Sequence, residues 1–316
     1  MISDAELIVD RRKMKRKLTA WRITAIVLFI GAILALISAG GGFGDFKKTY
    51  EDHIARVRID GFISGDQSTL DLFDDIAESN KVKGVIIRID SPGGSTAGSE
   101  ALYDVIRKVA KDKPVVAVMD TVAASGGYIT AIAADYIVAR GNTITGSIGV
   151  IFQFPEVSKL LETLGVKVEE IKSGELKAEP NPYKPVTDKA RAVANIMVQD
   201  SFSWFTGLVA DRRKLPLNQV LVLSDGRVYT GRQAVKEKLV DILGGEEKAV
   251  DWLTTEKKLS KDLKILDWKP SSNEDISSFG VSAVRLILSA FGLERLVSIA
   301  EQRNLDGLLA VWQPHL

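Results

Sequence analysis

Residues 83–90 (KGVIIRID), followed at once by Ser91-Pro92-Gly93-Gly94, constrain the fold more than any other feature of the chain. The β-branched run predicts a buried strand, and the proline and two glycines predict the turn that ends it. A helix is expected over residues 95–111, then a second apolar strand over 114–119 (PVVAVM). Strands apolar on both faces, joined through helices, form parallel sheets with right-handed crossovers and helices on the faces. The rhythm begins earlier, with a strand over 53–59 and a helix over 68–80, where Leu70, Leu72, Phe73 and Ile76 stand at helical spacing. It continues through a small-residue helix over 126–134, a strand over 136–139 and a closing segment over 145–151.

Downstream, the pattern predicts a helix over 155–164 and a strand over 166–171. A loop interrupted by Pro180, Pro182 and Pro185 follows. A long helix is expected over 187–214, with Thr187 as its N-cap. Residues 217–243 contain an Asp225-Gly226 turn, and the tail from Lys248 reads as helical with a strand at Trp268. Residues 276–296 are apolar but interrupted by Arg285, Glu294 and Arg295. They read as an amphipathic helix that packs on a partner or lies on a membrane surface.

The two ends of the chain differ in charge. Lys+Arg total 42 and Asp+Glu 41, a net charge of +1 that gives no support to a nucleic-acid partner. The first 22 residues nonetheless carry seven basic residues against three acidic ones. The 17 residues 23–39 then hold no charge. At 1.5 Å per residue such a helix is about 25 Å long, slightly short of a ~30 Å hydrocarbon core, and Trp21 and Arg22 suit the interface beside it. A cleaved signal peptide would use the small residues Ser38-Ala39-Gly40, but the apolar run is longer than a usual signal core. The expectation is therefore one uncleaved transmembrane helix over 23–39, a basic cytoplasmic tail over 1–22 and a flexible tether over 40–52. Everything beyond lies outside the cytoplasm, on a single-pass protein of the cytoplasmic (inner) membrane.

The rarest residue types narrow the chemistry. There is no cysteine, which removes thiolate nucleophiles, thiolate metal sites and disulfides. There are two histidines, His53 at the start of the first strand and His315 at the C-terminus, and both read as solvated. A Ser-His-Asp triad or a multi-histidine metal site has almost no material, and no metal or cofactor is expected.

Two strand ends remain. At residues 90–95 (DSPGGS) the glycines let backbone N–H groups face a guest, as an oxyanion hole requires, although an ordinary turn has the same look. At residues 123–128 (AASGGY), Ser125 stands at a strand-to-helix turn, where it is either a nucleophile or merely an N-cap. Ligands of open α/β sheets bind at this edge. A serine nucleophile needs a base, and a lysine serves only if burial brings its ordinary pKa of about 10.4 down to about 7. Lys177, Lys172, Lys184 and Lys189 all lie in or beside the loop after 171, and residue physics does not choose among them.

Taken together, RIDSPGG (88–94), AASGGY (123–128), TGSIGV (145–150), SGELK (173–177) and DGRVYTGRQA (225–234) resemble the signal peptide peptidase A family in its short, single-copy form. They cover roughly residues 54–245. The resemblance implies a membrane-bound serine protease of the ClpP/crotonase fold. Its protease domain would span 53–245, with a C-terminal helical extension over 246–316 for oligomerisation or membrane contact. It implies a Ser-Lys dyad in which Ser125 is the nucleophile, Lys177 the general base and Ser147 the residue that orients the lysine amine. Gly94 and Gly126 match the oxyanion-hole positions. Many family members carry an acidic residue after the lysine, where this chain has Ala178. The short form implies a homo-oligomeric ring in which one subunit's serine is completed by its neighbour's lysine. The implied substrates are apolar, extended peptides such as signal-peptide remnants. Two other readings stand beside this one. The first is a non-catalytic membrane-anchored scaffold that binds peptides. The second is a crotonase-type acyl-CoA enzyme, for which Glu100 lies near the first loop but has no evident partner.

Overall fold

In the strand β1 (His53–Ile63), side chains alternate between two buried faces, and the same alternation runs through its neighbours β2 (Val82–Gly94) and β3 (Val115–Ala124). Val57, Ile59, Ile87, Ile89, Ala117 and Met119 share one core with Phe73, Ile76, Leu102 and Ile106. These last four lie on the helices α1 (Gln67–Glu78) and α2 (Thr96–Val109). Ile54, Ile86, Val116 and Val118 face the other way and pack against Ala249 and Leu253 of a later helix. A strand buried on both faces has no polar positions to spare, which is why these segments read as unbroken apolar runs. Both helices start on side-chain caps: Asp66 accepts from the Thr69 N–H at 2.9 Å and Ser95 from the Gly98 N–H at 3.1 Å.

This computed structural model describes residues 51–270, together with residues 14, 17–19, 21–26 and 28–29, which are helical. The chain divides into two units, and Lys48–Pro270 is one of them. The anchor expected over 23–39 falls mainly outside the described residues, and the amphipathic helix expected over 276–296 falls wholly outside them. Among the described residues no helix is long and apolar enough to cross a membrane.

The sheet runs β6 (Val228–Thr230), β5 (Ile144–Gly146), β3, β2, β1, β8 (Lys264–Trp268), and β4 (Tyr136–Ala139) and β7 (Ile242–Leu243) extend from β3 on a second path. The partner exchange on β3 makes this branch. Residues Val116–Met119 pair with β4 (Tyr136–Ala139), and Val122–Ala124 pair with β5 (Ile144–Gly146). All pairings are parallel except that of β6 (Val228–Thr230) on β5. The sheet is therefore mixed, where the sequence rhythm predicts a parallel one. The fold class otherwise stands, an α/β sheet flanked by helices. The helix α3 (Gly126–Ile132) follows β3 and is buried along its whole length. Its Tyr128 hydroxyl donates to the Leu239 carbonyl at 2.9 Å.

Several expectations change. The SPGG segment is not a turn. β2 stays extended through Gly94, with Phe62 opposite Gly93 and Ile63 opposite Gly94. A register shift between Ile89 and Ser91 breaks the ladder to β3, and the Asp90 carboxylate fills the gap by accepting the Val122 N–H at 3.0 Å. Residues 166–171 form no strand: Val166, Val168 and Ile171 are exposed, with no sheet edge to give their alternation a partner. The helix expected over 155–164 shrinks to α4 (Ser158–Thr163), which buries none of its residues. The long helix α5 (Asp188–Arg213) is present, with Thr187 as its cap.

His53 is not solvated. It is fully buried, because β8 (Lys264–Trp268) pairs alongside β1. Its Nδ1 meets the Glu51 carbonyl at 2.8 Å, its Nε2 accepts from Trp268 Nε1 at 3.0 Å, and the two rings stack. Arg56 ties the same region together by bonding Asp267 of β8 and Glu246 of α8 (Glu246–Thr255). Residues 246–268, expected to open a C-terminal extension, thus belong to the body of the sheet unit.

Candidate active site

Ser125 joins β3 to α3 at φ 53°, ψ −117°, a left-handed backbone that a β-carbon disfavours. Holding a non-glycine residue there costs about 1–3 kcal/mol, and the surroundings must impose it. They do so from two sides. The Ser125 N–H donates to the Gly146 carbonyl of β5 at 2.9 Å, and the Ser125 carbonyl receives the Tyr128 and Ile129 N–H groups. The Ser125 side chain makes no capping bond to α3. Of the two readings open in the sequence, N-cap and free hydroxyl, the geometry has the free hydroxyl.

The glycine strand lies directly against this turn. A β-carbon on Gly93, whose φ is +116°, would come within 2.9 Å of the Gly126 nitrogen and 3.0 Å of Ser125 Cβ. One on Gly126 would lie 2.3 Å from Ser99 Oγ and 3.0 Å from the Gly94 nitrogen, and one on Gly94 would strike the Ile63 carbonyl at 1.9 Å. These approaches require glycine and bring the amides of Gly94 and Gly126 together beside Ser125. Gly126 opens α3, so its N–H has no carbonyl behind it within the helix. Ser147, at φ 49°, is the next residue after the Gly146 that holds Ser125, and its N–H donates to the Arg227 carbonyl at 2.9 Å.

A cavity of about 80 Å³ opens on Ser125, Gly94 and Gly126. Ile129, Val150, Ile151, Trp204 and Phe205 give it apolar walls, Thr96 and Ser99 add hydroxyls, and no charged side chain lines it. Trp204 and Phe205 come from α5, and sequence reading missed them. The visible signal was only the spacing of the buried Phe205 and Val209 on that helix. A wider cleft of about 420 Å³ lies elsewhere, among Arg58, Arg88, Asp90, Asp120 and Arg140. Its Arg88 is held by Asp120 at 2.7 Å, and its Thr143 hydroxyl is spent on the Asp120 carbonyl at 2.6 Å. Glu100 is exposed on α2 and does not line the Ser125 cavity.

The four candidate lysines separate by their partners. Lys172 pairs with Glu179 at 2.6 Å and Glu170 at 2.8 Å, and Lys184 with the same two at 2.6 and 3.1 Å. These carboxylates push the Lys184 ammonium up from its ordinary range, which favours the charged form. Lys189 pairs with Glu175 at 2.6 Å. Lys177 is exposed, and among the described residues no carboxylate lies within ion-pairing distance of it. Lys177 does not line the cavity at Ser125. Within one chain the serine, Ser147 and the two glycines are gathered at the sheet edge, and the lysine is not among the residues that line the serine cavity.

A mixed α/β sheet flanked by helices fits the ClpP/crotonase-like fold class, and the comparisons point to a peptidase family. The model of Peptidase family S49 matches residues 107–260. A candidate protease of Synechocystis is 35% identical over 223 residues, covering 70% of this chain and 80% of its own length. A candidate protease of Methanocaldococcus jannaschii is 38% identical over 181 residues, 57% of this chain and 58% of that one. The chloroplastic serine protease SPPA of Arabidopsis thaliana is 33% identical over 287 residues, 87% of this chain and 41% of that one. The chain belongs to peptidase family S49, the signal peptide peptidase A family. It spans little more than half the length of the archaeal relative and less than half that of the plant one.

Proposed function

We propose that the protein is a membrane-anchored serine endopeptidase in which Ser125 is activated by Lys177 of a neighbouring copy. The observation that carries this reading is Ser125 itself, held at positive φ with an uncapped hydroxyl on a glycine-lined, uncharged cavity. Neutral Lys177 takes the Ser125 proton as Oγ attacks a peptide carbonyl. The oxyanion rests on the Gly94 and Gly126 N–H groups. The lysinium then protonates the leaving amine; water, giving a proton to the now neutral Lys177, attacks the acyl-enzyme, and the lysinium returns that proton to Ser125 Oγ as the acid is released. Ser147 orients the amine. Lys177 suits the role of base because, among the described residues, no carboxylate pairs with it, whereas its three rivals are paired, and docking into the neighbouring copy would supply the burial that its own chain does not.

Two features support a second copy. Lys177 lies away from the serine cavity of its own chain. The segment that carries it also leaves Ile151, Leu160, Leu164, Val166 and Ile171 exposed, apolar surface suited to an interface in a homo-oligomeric ring. Substrates are extended apolar peptides such as signal-peptide remnants, since the cavity walls offer no charge. The uncharged residues 23–39, behind a basic tail, support a location in the cytoplasmic membrane with the catalytic unit outside.

The full-length protein in detergent should cleave an apolar fluorogenic peptide. If it cleaves none while remaining folded and assembled, a peptide-binding scaffold replaces this reading. Gly94→Ala should reduce turnover about 100-fold or more, the scale for losing an oxyanion donor, because the new β-carbon would displace that amide from Ile63. Steady-state kinetics checks this, and near-normal turnover would remove Gly94 from the oxyanion hole.

A further inference from the structure

The segment that presents Lys177 is built differently from the rest of the unit. Between Ile148 and Ala190 no hydrophobic side chain is buried, and the one buried residue is Asn181. A segment without an apolar core needs another way to hold its shape. Here it is a neutral cluster of two lysines and two glutamates around that asparagine. Glu179 Oε1 accepts from Lys172 at 2.6 Å and Asn181 Nδ2 at 3.0 Å, and lies 2.6 Å from Lys184 Nζ. Glu170 meets the same three residues, at 2.8 Å from Lys172, 3.1 Å from Lys184 and 3.1 Å from Asn181. The Glu179 side chain is 4% exposed and that of Lys172 15% exposed, far below the 59% and 68% of the nearby Lys189–Glu175 pair. Exposed pairs contribute little, whereas a charge held out of water fixes its partners because leaving any of them alone is costly.

The cluster sits at the base of the turn that carries Lys177. Lys172 lies before the turn, Glu179 ends it, and Asn181 and Lys184 lie after it. The turn itself is closed by Lys177 N–H to the Gly174 carbonyl at 3.1 Å and Glu179 N–H to the Leu176 carbonyl at 3.2 Å, with Ala178 at φ 59°. Glu179 is therefore both the last residue of the turn and the centre of the cluster. Lys177, at the tip, has no such tie.

We propose that Glu179 is a positioning residue that, through its contacts with Lys172, Lys184 and Asn181, holds the Lys177 turn in the geometry that delivers the amine to Ser125. The proposal rests on the Ser125–Lys177 reading above. It assigns the electrostatic anchoring of the loop to a residue that neither reacts nor lines the cavity. In this chain, where Ala178 follows the lysine, the acid one residue further on does this work.

The test compares wild type with Glu179→Gln, Lys172→Met and Lys177→Ala, each full-length in detergent, on the same apolar peptide. Hydrogen exchange is followed across residues 173–178 and across β1–β3. Glu179→Gln keeps the shape and removes the charge. The expected result is a fall in kcat of about tenfold or more with KM within about twofold. Amides 173–178 should exchange faster while those of β1–β3 are unchanged, and Lys172→Met should fall the same way. If Glu179→Gln disturbs the sheet amides, Lys172→Met decides the matter, and wild-type kcat in that variant overturns the proposal. Wild-type kcat in Glu179→Gln with an inactive Lys177→Ala overturns the anchoring role and leaves the dyad intact. An active Lys177→Ala overturns the dyad and the anchoring role together.

Discussion

Ser125→Ala should abolish peptide cleavage, by about 1,000-fold or more, which corresponds to at least ~4 kcal/mol of lost barrier reduction. The variant should fold and assemble as wild type does. The geometry separates these two effects. The Ser125 hydroxyl makes no cap bond to α3, so its loss leaves no helix donor unpaired. The backbone bonds that impose the positive φ, to Gly146, Tyr128 and Ile129, are made by main-chain atoms and survive the substitution. Alanine is as disfavoured at φ 53° as serine, so the strain is unchanged. A thermal melt within about 2 °C of wild type, with turnover lost, is the expected pair of measurements. Normal turnover would remove Ser125 from the chemistry, and a collapsed melt would mean that the hydroxyl is structural.

The second large effect concerns Lys177. Lys177→Ala should be as inactive as Ser125→Ala, yet mixing the two inactive proteins under subunit exchange should restore activity. If each site takes its serine from one copy and its lysine from the next, random assortment of equal amounts makes about one quarter of the sites complete. A dyad formed within one chain would give no complete site at any ratio. The exposed position of Lys177, and its absence from the walls of the Ser125 cavity, favour the first outcome. Activity near a quarter of wild type in verified mixed assemblies is therefore expected. None at all in such assemblies would return the lysine to its own chain or exclude it as the base.

Much of the site was legible before the fold. Ser125 and the two glycine runs stand out because a strand that ends in small residues and glycines has few physical uses. The period-2 and apolar patterns located β1, β2, β3 and β4. The partner exchange of β3 from β4 to β5 was not legible, because it depends on which strands reach its upper half. The burial of His53 was equally hidden, since β8, which covers it, arrives from more than two hundred residues later. Residues 166–171 misled for the reverse reason: they alternate like a strand but have no strand to pair with. The four lysines were equivalent on paper, and only the positions of Glu170, Glu175 and Glu179 tell them apart. Trp204 and Phe205 could not be assigned to the cavity until the long helix was laid against α3.

The central claim is that Ser125 is an activated nucleophile, and fluorophosphonate labelling tests it without knowledge of any substrate. The full-length protein is incubated with the probe in detergent, and the adduct is located by peptide mass spectrometry. The expected result is a single adduct on Ser125 in wild type, and none in Lys177→Ala at the same time point. An unmodified Ser125 in a folded, assembled protein, or an adduct on a different serine, would contradict the assignment.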